Sequence, residues 1–200
     1  LGVLIVINGI LIVIFYVFSK ESSEKNTREN IAQQVEAINH QFRDDIEELT
    51  NNLRILASNP TFDEFMMSSE VDKEIHAKAV ERLFVQNINY IGECQSIYFV
   101  NYLGMEKVKV DREGRVRKYR DLSRSKLFNE IKSDAPGSIN IEGPFKTEQG
   151  KILFSIGISK NDADIGKFGG AVIIDYNLNS FIEHLDMIKI LGENPIWLFA

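Results

Sequence analysis

A short stretch of this sequence concentrates the residues that could bind a charged ligand. Between Lys107 and Lys126 lie nine lysine and arginine residues and three acidic residues, a local charge of +6 in a chain of net charge −6. Such a reversal attracts carboxylate or phosphate groups, and arginine suits two-pronged binding of a carboxylate. Arg120 and Arg124 lie beside Tyr119, in a predicted loop and the first turn of a helix. Contact with a ligand and exposure to solvent both remain open for these two arginines.

The lysines at the start of this stretch have a different interpretation. Lys107 and Lys109 alternate with Val108 and Val110, so the two lysines share one face of a predicted strand. We expect them to be solvated there and to protect a sheet edge from pairing with another chain. A nucleic-acid partner is not expected, because the basic run lacks the interleaved aromatic residues on which bases stack.

The sequence contains no pattern typical of catalysis or metal binding. Cys94 is the only cysteine, which excludes an intrachain disulfide and a cysteine-based zinc site, and we expect it to be buried. His40, His76 and His184 do not show the paired spacing of metal ligands. An enzyme is the least favoured function, because no nucleophile lies beside a general base. We therefore expect no catalytic residue, no metal and no cofactor.

The first eighteen residues are uncharged and almost entirely apolar. A helix of this length spans about 27 Å, which is close to the hydrocarbon thickness of a bilayer. We predict a transmembrane helix over residues 1–18 and an integral membrane location. A cleaved signal peptide is the alternative, but the segment from Tyr16 to Lys20 lacks the small residues of a cleavage site.

Helical periodicity continues after the apolar segment. Apolar residues recur every three or four positions through residues 19–58, which predicts one long amphipathic helix continuous with the first. Pro60 should end this helix, because a residue before proline disfavours the helical conformation. Thr61 and Glu64 predict a capping box for a short second helix. A third helix is predicted to begin at Ser69.

Beyond Gly92 the pattern changes to that of strands, with alternating residues and β-branched or aromatic side chains. The predicted strands are Ser96–Val100, Met105–Val110, Val116–Tyr119, Ser138–Ile141, Ile152–Ser159, Gly169–Asp175 and an apolar segment at Ile196–Phe199. Helices are predicted at Ser123–Lys132 and Asn177–Leu191. The fold class is α+β, with a transmembrane helix, a long amphipathic helix and an antiparallel sheet module with flanking helices.

Several segments of the strand-rich part follow one another in a distinctive order. They are Ser96–Val100, then Gly104–Asp111 with its G-x-E followed by a basic strand, Asp121-Leu122-Ser123 with Phe128 and Gly137, and Gly170–Asp175. In this order and spacing they resemble the double Cache sensor domains of bacterial receptors. The resemblance covers about residues 31–200.

The resemblance implies a PAS-like sheet module and a division of the chain. Residues 1–18 would be the transmembrane helix, residues 19–58 the long extracytoplasmic helix, residues 59–191 the membrane-distal Cache module, and residues 192–200 the first strand of a membrane-proximal module. Domains of this family lie outside the cytoplasmic membrane, in the periplasm or the extracellular space. They bind small metabolites in the distal module.

The resemblance also implies a set of ligand-binding residues. Amino-acid-binding members of the family have the pattern Tyr-x4-Arg-x-Trp-Tyr and a later aspartate, which Tyr119, Arg124 and Asp175 match. Lys126 and Leu127 stand where the aromatic pair would be. The expected ligand is a small anionic or zwitterionic metabolite. The residues expected to bind it are Tyr98, Tyr119, Arg120, Arg124, Phe128 and Asp175.

The function that these features predict is sensing of a small molecule by the ectodomain of a bacterial transmembrane receptor. A sensor histidine kinase is the favoured receptor, with kinase or cyclase activity in a module outside this sequence. A chemoreceptor or a diguanylate cyclase with the same sensor is an alternative, and a ligand-free structural or dimerisation ectodomain is an alternative of a different class. We expect a homodimer, since Ile31, Val35, Ile38 and Phe42 form an apolar stripe, although packing on the chain's own domain predicts the same stripe.

Overall fold

The structure is a computed structural model that describes residues 2–113, 119–162 and 166–183, with the backbone alone for residues 2–29. The chain divides into two compact units. One unit comprises residues 44–180, and the other comprises residues 1–43 together with 181–200. The first of these units contains the sheet and the candidate site.

The first helix, α1, runs from Gly2 to Ala57 without a break over 56 residues. It ends just before Pro60, as the sequence predicts. In the part of the chain whose side chains are described, no helix is long and apolar enough to cross a membrane. The side chains of residues 1–18 lie outside that part, so the transmembrane helix stays a prediction.

Helix α2 spans Pro60–Met67, and its N-terminal cap differs from the predicted one. The side-chain oxygen of Asn59 accepts a hydrogen bond from the Thr61 N–H at 3.0 Å. The predicted capping box of Thr61 and Glu64 is therefore wrong. Pro60 occupies the first helical position, where its fixed φ and missing N–H cost nothing, and this moves the cap to the residue before it.

The strand-rich part forms one antiparallel sheet of five strands, which confirms the predicted α+β class. Helix α3 (Lys73–Tyr90) leads into the sheet, and helix α4 interrupts it between the second and third strands. The spatial order of the strands is β2-β1-β5-β4-β3. The remaining elements are β1 Cys94–Asn101, β2 Glu106–Asp111, α4 Lys126–Ser133, β3 Ile139–Lys146, β4 Ile152–Asn161 and β5 Phe168–Asn177.

One face of the sheet packs on α2 and α3. Phe99 of β1 is 1% exposed, and its ring centroid lies 5.5 Å from that of Phe62 and 5.8 Å from that of Phe65. Phe84 of α3 closes the cluster at 5.7 Å from Phe62. Burial of each large apolar side chain contributes about 1.5–3 kcal/mol, so this aromatic cluster anchors the helices to the sheet.

The other face of the sheet packs on α4. Tyr98 and Val100 of β1 form one buried cluster with Leu127, Phe128 and Ile131 of α4. Ser125 caps this helix, because its side-chain oxygen accepts a hydrogen bond from the Phe128 N–H at 3.1 Å. Helix α4 covers only part of this face, and the uncovered part carries the polar residues described below.

The edge strand β3 is longer than predicted and begins one residue later. Its register shifts between Glu142 and Phe145, so that Gly143 and Pro144 form an irregularity within the strand. Pro144 cannot donate a ladder hydrogen bond, but an edge strand tolerates this because one of its sides is unpaired.

Several predicted elements lie outside the described residues. They are most of the strand at Val116–Tyr119, the last part of the helix at Asn177–Leu191, and the strand at Ile196–Phe199. Residues 179–183 are helical. In the unit that contains residue 181, the rings of Phe42 and Phe181 lie 4.6 Å apart.

Candidate functional site

A row of polar residues crosses the sheet on the face that α4 covers in part. Ser96 pairs with Asp111 on one side and with Asp175 on the other. Asp175 pairs in turn with Ser155, and Ser155 pairs with Glu142. Residues directly opposite one another on neighbouring strands share a face, so the register brings together residues far apart in the sequence. Each of the five strands contributes one polar residue to this row.

Asp175 is the centre of the row and is only 6% exposed. Its carboxylate accepts hydrogen bonds from three hydroxyl groups: Ser155 Oγ at 2.6 Å, Ser96 Oγ at 2.8 Å and the Tyr98 hydroxyl at 3.1 Å. Burial, and next the negative charge of Asp175, raise the pKa of Tyr98 well above its usual value. The phenol therefore stays protonated and acts as a donor to the carboxylate.

A second carboxylate, that of Glu106, is fully buried and fixes the position of Arg120. Glu106 Oε1 lies 2.8 Å from Arg120 Nε and 2.7 Å from a terminal guanidinium nitrogen. Glu106 Oε2 accepts a hydrogen bond from the Arg120 N–H at 2.9 Å. Burial opposes the charge of Arg120, but the hydrogen-bonded Glu106 carboxylate and the nearby Asp175 carboxylate favour the charge, and the pKa of the guanidinium is raised. Arg120 is thus a permanent cation with a fixed orientation.

The ring of Tyr98 lies beneath two cations. The Arg120 guanidinium carbon is 5.0 Å and the Lys109 ammonium nitrogen 4.9 Å from the ring centroid, a geometry in which the face of the ring attracts positive charge. The side chain of Lys109 is only 10% exposed and lies 3.7 Å from Glu106. The prediction that Lys109 is solvated is therefore wrong, whereas Lys107 is exposed and β2 is an edge strand as expected.

Two neighbouring cavities open beside these residues and share Arg120 and Phe145. The first has a volume of about 250 Å³ and contains most of the polar row, including Ser96, Asp111 and Asp175. The second has a volume of about 460 Å³. Its walls include the apolar residues Leu122, Leu127, Pro144, Phe145 and Ile173 together with the polar residues Ser125, Glu142 and Ser155. The Arg120 side chain is 46% exposed, so its guanidinium remains accessible although Glu106 holds one of its edges.

The structure brings together three of the six residues expected to bind a ligand. Tyr98, Arg120 and Asp175 converge at the cavities. Tyr119 is 48% exposed and Arg124 is exposed, and neither lines either cavity. Phe128 is 2% exposed in the core, with its ring 5.8 Å from that of Phe168.

The sequence patterns did not point to the residues that hold Tyr98, Arg120 and Asp175 in place. Ser96 and Ser155 are ordinary strand residues, and only the strand register reveals that they face Asp175. Glu106 had a usable signal, because it is the acidic residue of the G-x-E segment at the start of a strand. Among the described residues, no group of three or more histidine, cysteine, aspartate or glutamate side chains is arranged to hold a metal ion.

Comparison with solved structures assigns the fold. The extracellular domain of the putative histidine kinase vpHK1S-Z8 matches with a TM-score of 0.66 and 16% identity, over 82% of this chain and 60% of that one. The domain of a putative sensory box/GGDEF family protein from Vibrio parahaemolyticus matches with a TM-score of 0.66 and 15% identity, over 78% of this chain and 62% of that one. The ligand-binding domain of the Campylobacter jejuni chemoreceptor Tlp3, in complex with 4-methylisoleucine, has a TM-score of 0.63 and 11% identity. This match covers 80% of this chain and 62% of that one.

The fold of this chain is thus that of Cache-type, PAS-like sensor domains, which confirms the resemblance drawn from the sequence. No family model and no curated protein matches the sequence. The chain spans about three fifths of the length of these solved structures.

Proposed function

We propose that this chain is the extracytoplasmic sensing domain of a bacterial transmembrane receptor and that it binds a small zwitterionic or anionic metabolite. The fold supports the sensing role, since domains with this fold occur in a histidine kinase, a GGDEF protein and a chemoreceptor. A sensor histidine kinase is the receptor type we propose. Tlp3 binds 4-methylisoleucine, an amino acid, which is an example of the ligand class.

The observation that carries the proposal is the pairing of an accessible cation with a buried anion at one cavity. Arg120 supplies a fixed guanidinium, and Asp175 supplies a carboxylate 6% exposed. The charged side chains around the first cavity balance: three are cationic and three are acidic, namely Lys109, Arg120, Lys151, Asp111, Glu148 and Asp175. A ligand with one positive and one negative group matches this arrangement better than an ion of a single sign.

The carboxylate and the ammonium group of the ligand contact different residues of the site. The free edge of Arg120 donates hydrogen bonds to the ligand carboxylate, since Glu106 occupies only the other edge. An ammonium group lies toward Asp175, whose oxygens accept from three hydroxyl groups and can accept once more. The apolar side chains that line the second cavity, among them Leu122, Leu127 and Ile173, contact the rest of the ligand.

Binding at Arg120 also provides a means of signalling. Arg120 belongs to the segment between β2 and α4, whereas Asp175 lies on the central strand β5. A ligand held by both residues links the segment between β2 and α4 to the sheet. It therefore favours the arrangement in which this segment and β5 are close together. A receptor responds when its ligand binds one of two arrangements more tightly than the other.

Calorimetric titration of the complete chain in detergent with a panel of amino acids and small carboxylates tests the proposal. For a compound that binds, Arg120→Ala should weaken binding by about ten-fold to a hundred-fold, the effect of losing a charge-assisted hydrogen bond. Asp175→Asn should weaken binding of zwitterions and have less effect on simple carboxylates.

Arg124→Ala is the matched control, because Arg124 is in the same segment but lines neither cavity. It should leave the affinity unchanged. A ligand whose affinity falls with Arg124→Ala and not with Arg120→Ala would place the site at the exposed arginine. Absence of binding across the whole panel, with the fold intact by circular dichroism, would favour a ligand-free dimerisation domain.

A further inference from the structure

A third cavity of about 470 Å³ lies at the opposite end of β1 and shares no lining residue with the two cavities of the proposed sensing site. It is bounded by α2, the start of α3, the end of β1, the start of β2 and the described residues that follow β4 and begin β5. Its lining residues include Phe65, Phe99 and Phe168, together with Lys73, Lys107 and Lys167.

The floor of this cavity is aromatic and firmly held. Phe65 is 4% and Phe99 1% exposed, and their rings meet edge to face with centroids 5.8 Å apart. Helix α2 is fixed to the sheet by an ion pair between Asp63 and Lys160, with N–O distance 2.8 Å. The ring edges of Phe65 and Phe99 that reach the cavity, together with the partly buried ring of Phe168, suit edge-to-face contact with a planar apolar group.

The rim of the cavity is positively charged. Lys73 belongs to α3, Lys107 to β2, and Lys167 directly precedes β5, while Asp162 is the acidic residue that lines the cavity with them. Backbone hydrogen bonds of 2.8 and 2.9 Å join Asp162 to Lys167 and Gly166, which fixes the backbone at Lys167. This concentration of cations is notable in a chain of net charge −6.

Part of this positive charge is available to a ligand. Lys73 pairs with Glu70 at 2.7 Å, but the Glu70 side chain is 87% exposed. Exposed pairs of this kind contribute little free energy, so a carboxylate that approaches the cavity competes for Lys73 at small cost. Lys107 belongs to the basic run of the sequence, yet it lines this cavity and not the sensing site.

We propose that this cavity is a second binding site, for an aromatic carboxylate, with the ring on the phenylalanine floor and the carboxylate between the lysines. The apolar floor selects the body of the ligand, and the cationic rim selects the sign of its charged group. The proposal is independent of the ligand that the sensing site binds.

The test is calorimetric titration of the complete chain in detergent with 3-phenylpropionate. We expect a dissociation constant of about 1 mM or below. Two analogues separate the contributions: 3-phenylpropanol has the ring without the charge, and propionate has the charge without the ring. Both should bind at least about ten-fold more weakly than 3-phenylpropionate.

Variants of the rim locate the site. The double variant Lys107→Gln/Lys167→Gln should weaken binding of 3-phenylpropionate by about ten-fold or more. Lys126→Gln is the control and should leave the affinity unchanged, because Lys126 is 72% exposed and does not line this cavity. Equal affinity in the double variant, an equal loss of affinity in Lys126→Gln, or no binding by the unmodified chain would each overturn the proposal.

Discussion

At the scale of single residues, the candidate site depends on a carboxylate that does not face the ligand. Glu106 is fully buried and holds both the guanidinium and the backbone N–H of Arg120. A charge removed from water is costly unless it is paired and hydrogen-bonded, and among the described residues Arg120 and Lys109 provide this pairing for Glu106. The two cations and the acid therefore form one structural group.

We predict that Glu106→Gln destabilises the chain by about 1–3 kcal/mol, because the amide keeps the shape of the side chain but leaves two cations without their buried partner. This cost is smaller than that of breaking a fully buried pair, because the Arg120 side chain is 46% exposed and solvent screens its charge. Urea denaturation of the variant and of the unmodified chain measures the difference.

Glu130→Gln is the matched control for this prediction. Its pair with Lys126 is solvent-exposed and has an N–O distance of 3.6 Å, so its loss should cost less than about 0.5 kcal/mol. An equal cost for the two variants would show that burial of Glu106 contributes nothing, contrary to the argument above.

The sequence indicated Tyr98, Arg120 and Asp175 as candidate site residues but not the two serines that bond to Asp175. Arg120 was found through the charge of its segment, and Tyr98 and Asp175 through the resemblance to a family. Ser96 and Ser155 lie 79 and 20 residues from Asp175, and neither has a distinguishing neighbour. Their role arises from strand register, which a single sequence specifies only through its overall hydrophobic pattern.

At the scale of elements, the position of α4 depends on a glycine in β4. A Cβ atom at Gly157 would lie 2.4 Å from Ile131 Cδ1 and 3.1 Å from Ile173 Cγ1. The absent side chain lets α4 approach the sheet closely. Leu127, on the same helix, lines the second cavity, so the approach of α4 also sets the shape of that cavity.

We predict that Gly157→Ala costs about 1–3 kcal/mol of stability, because the added methyl group overpacks the contact between α4 and the sheet. Adding Ile131→Val removes the clashing Cδ1 atom and should restore part of the loss. Thermal denaturation of the single and double variants measures both effects.

Gly92→Ala provides the comparison, since a Cβ at Gly92 has no neighbour within 4 Å. It should change stability by less than about 0.5 kcal/mol. A double variant no more stable than Gly157→Ala would mean that the cost arises elsewhere than at Ile131.

The elements themselves were predictable wherever a strong periodic pattern or a proline marked them. The three N-terminal helices and the strands β1, β2, β4 and β5 lie where the sequence placed them, within a few residues. The failures occurred where local signals competed. Asn59 and Thr61 could both cap α2, and β3 continues past Ile141, where the predicted strand ended.

At the scale of the whole molecule, assembly into a homodimer remains a prediction. Ile31, Val35, Ile38 and Phe42 are partly buried within the single chain, while the residues between them are mostly exposed. A stripe that is only half covered is compatible with a partner helix beside it, which is the geometry of a parallel coiled coil.

We predict that single cysteines at Ile31, Val35 and Ile38 form intermolecular crosslinks in membranes, whereas cysteines at the exposed positions Gln33 and Glu36 form few. The native Cys94 can remain in place, because it is fully buried and burial raises the pKa of its thiol to about 12. Gel electrophoresis under non-reducing conditions gives the pattern. Crosslinking with no helical periodicity, or none at any position, would indicate a stripe that contacts only its own chain.

The order of the strands has a consequence for the synthesis of the protein. β5 is the last of the described strands, yet it lies at the centre of the sheet, between the hairpin of β1 with β2 and the hairpin of β3 with β4. A chain emerging from the ribosome can form those two hairpins early, but no strand pairs with both of them until Phe168–Asn177 has been made. Asp175, which joins the hydroxyl groups of both hairpins, arrives on that same segment. Nascent chains that stop short of β5 therefore expose unpaired strand edges on both hairpins, the form in which this protein is most prone to aggregate.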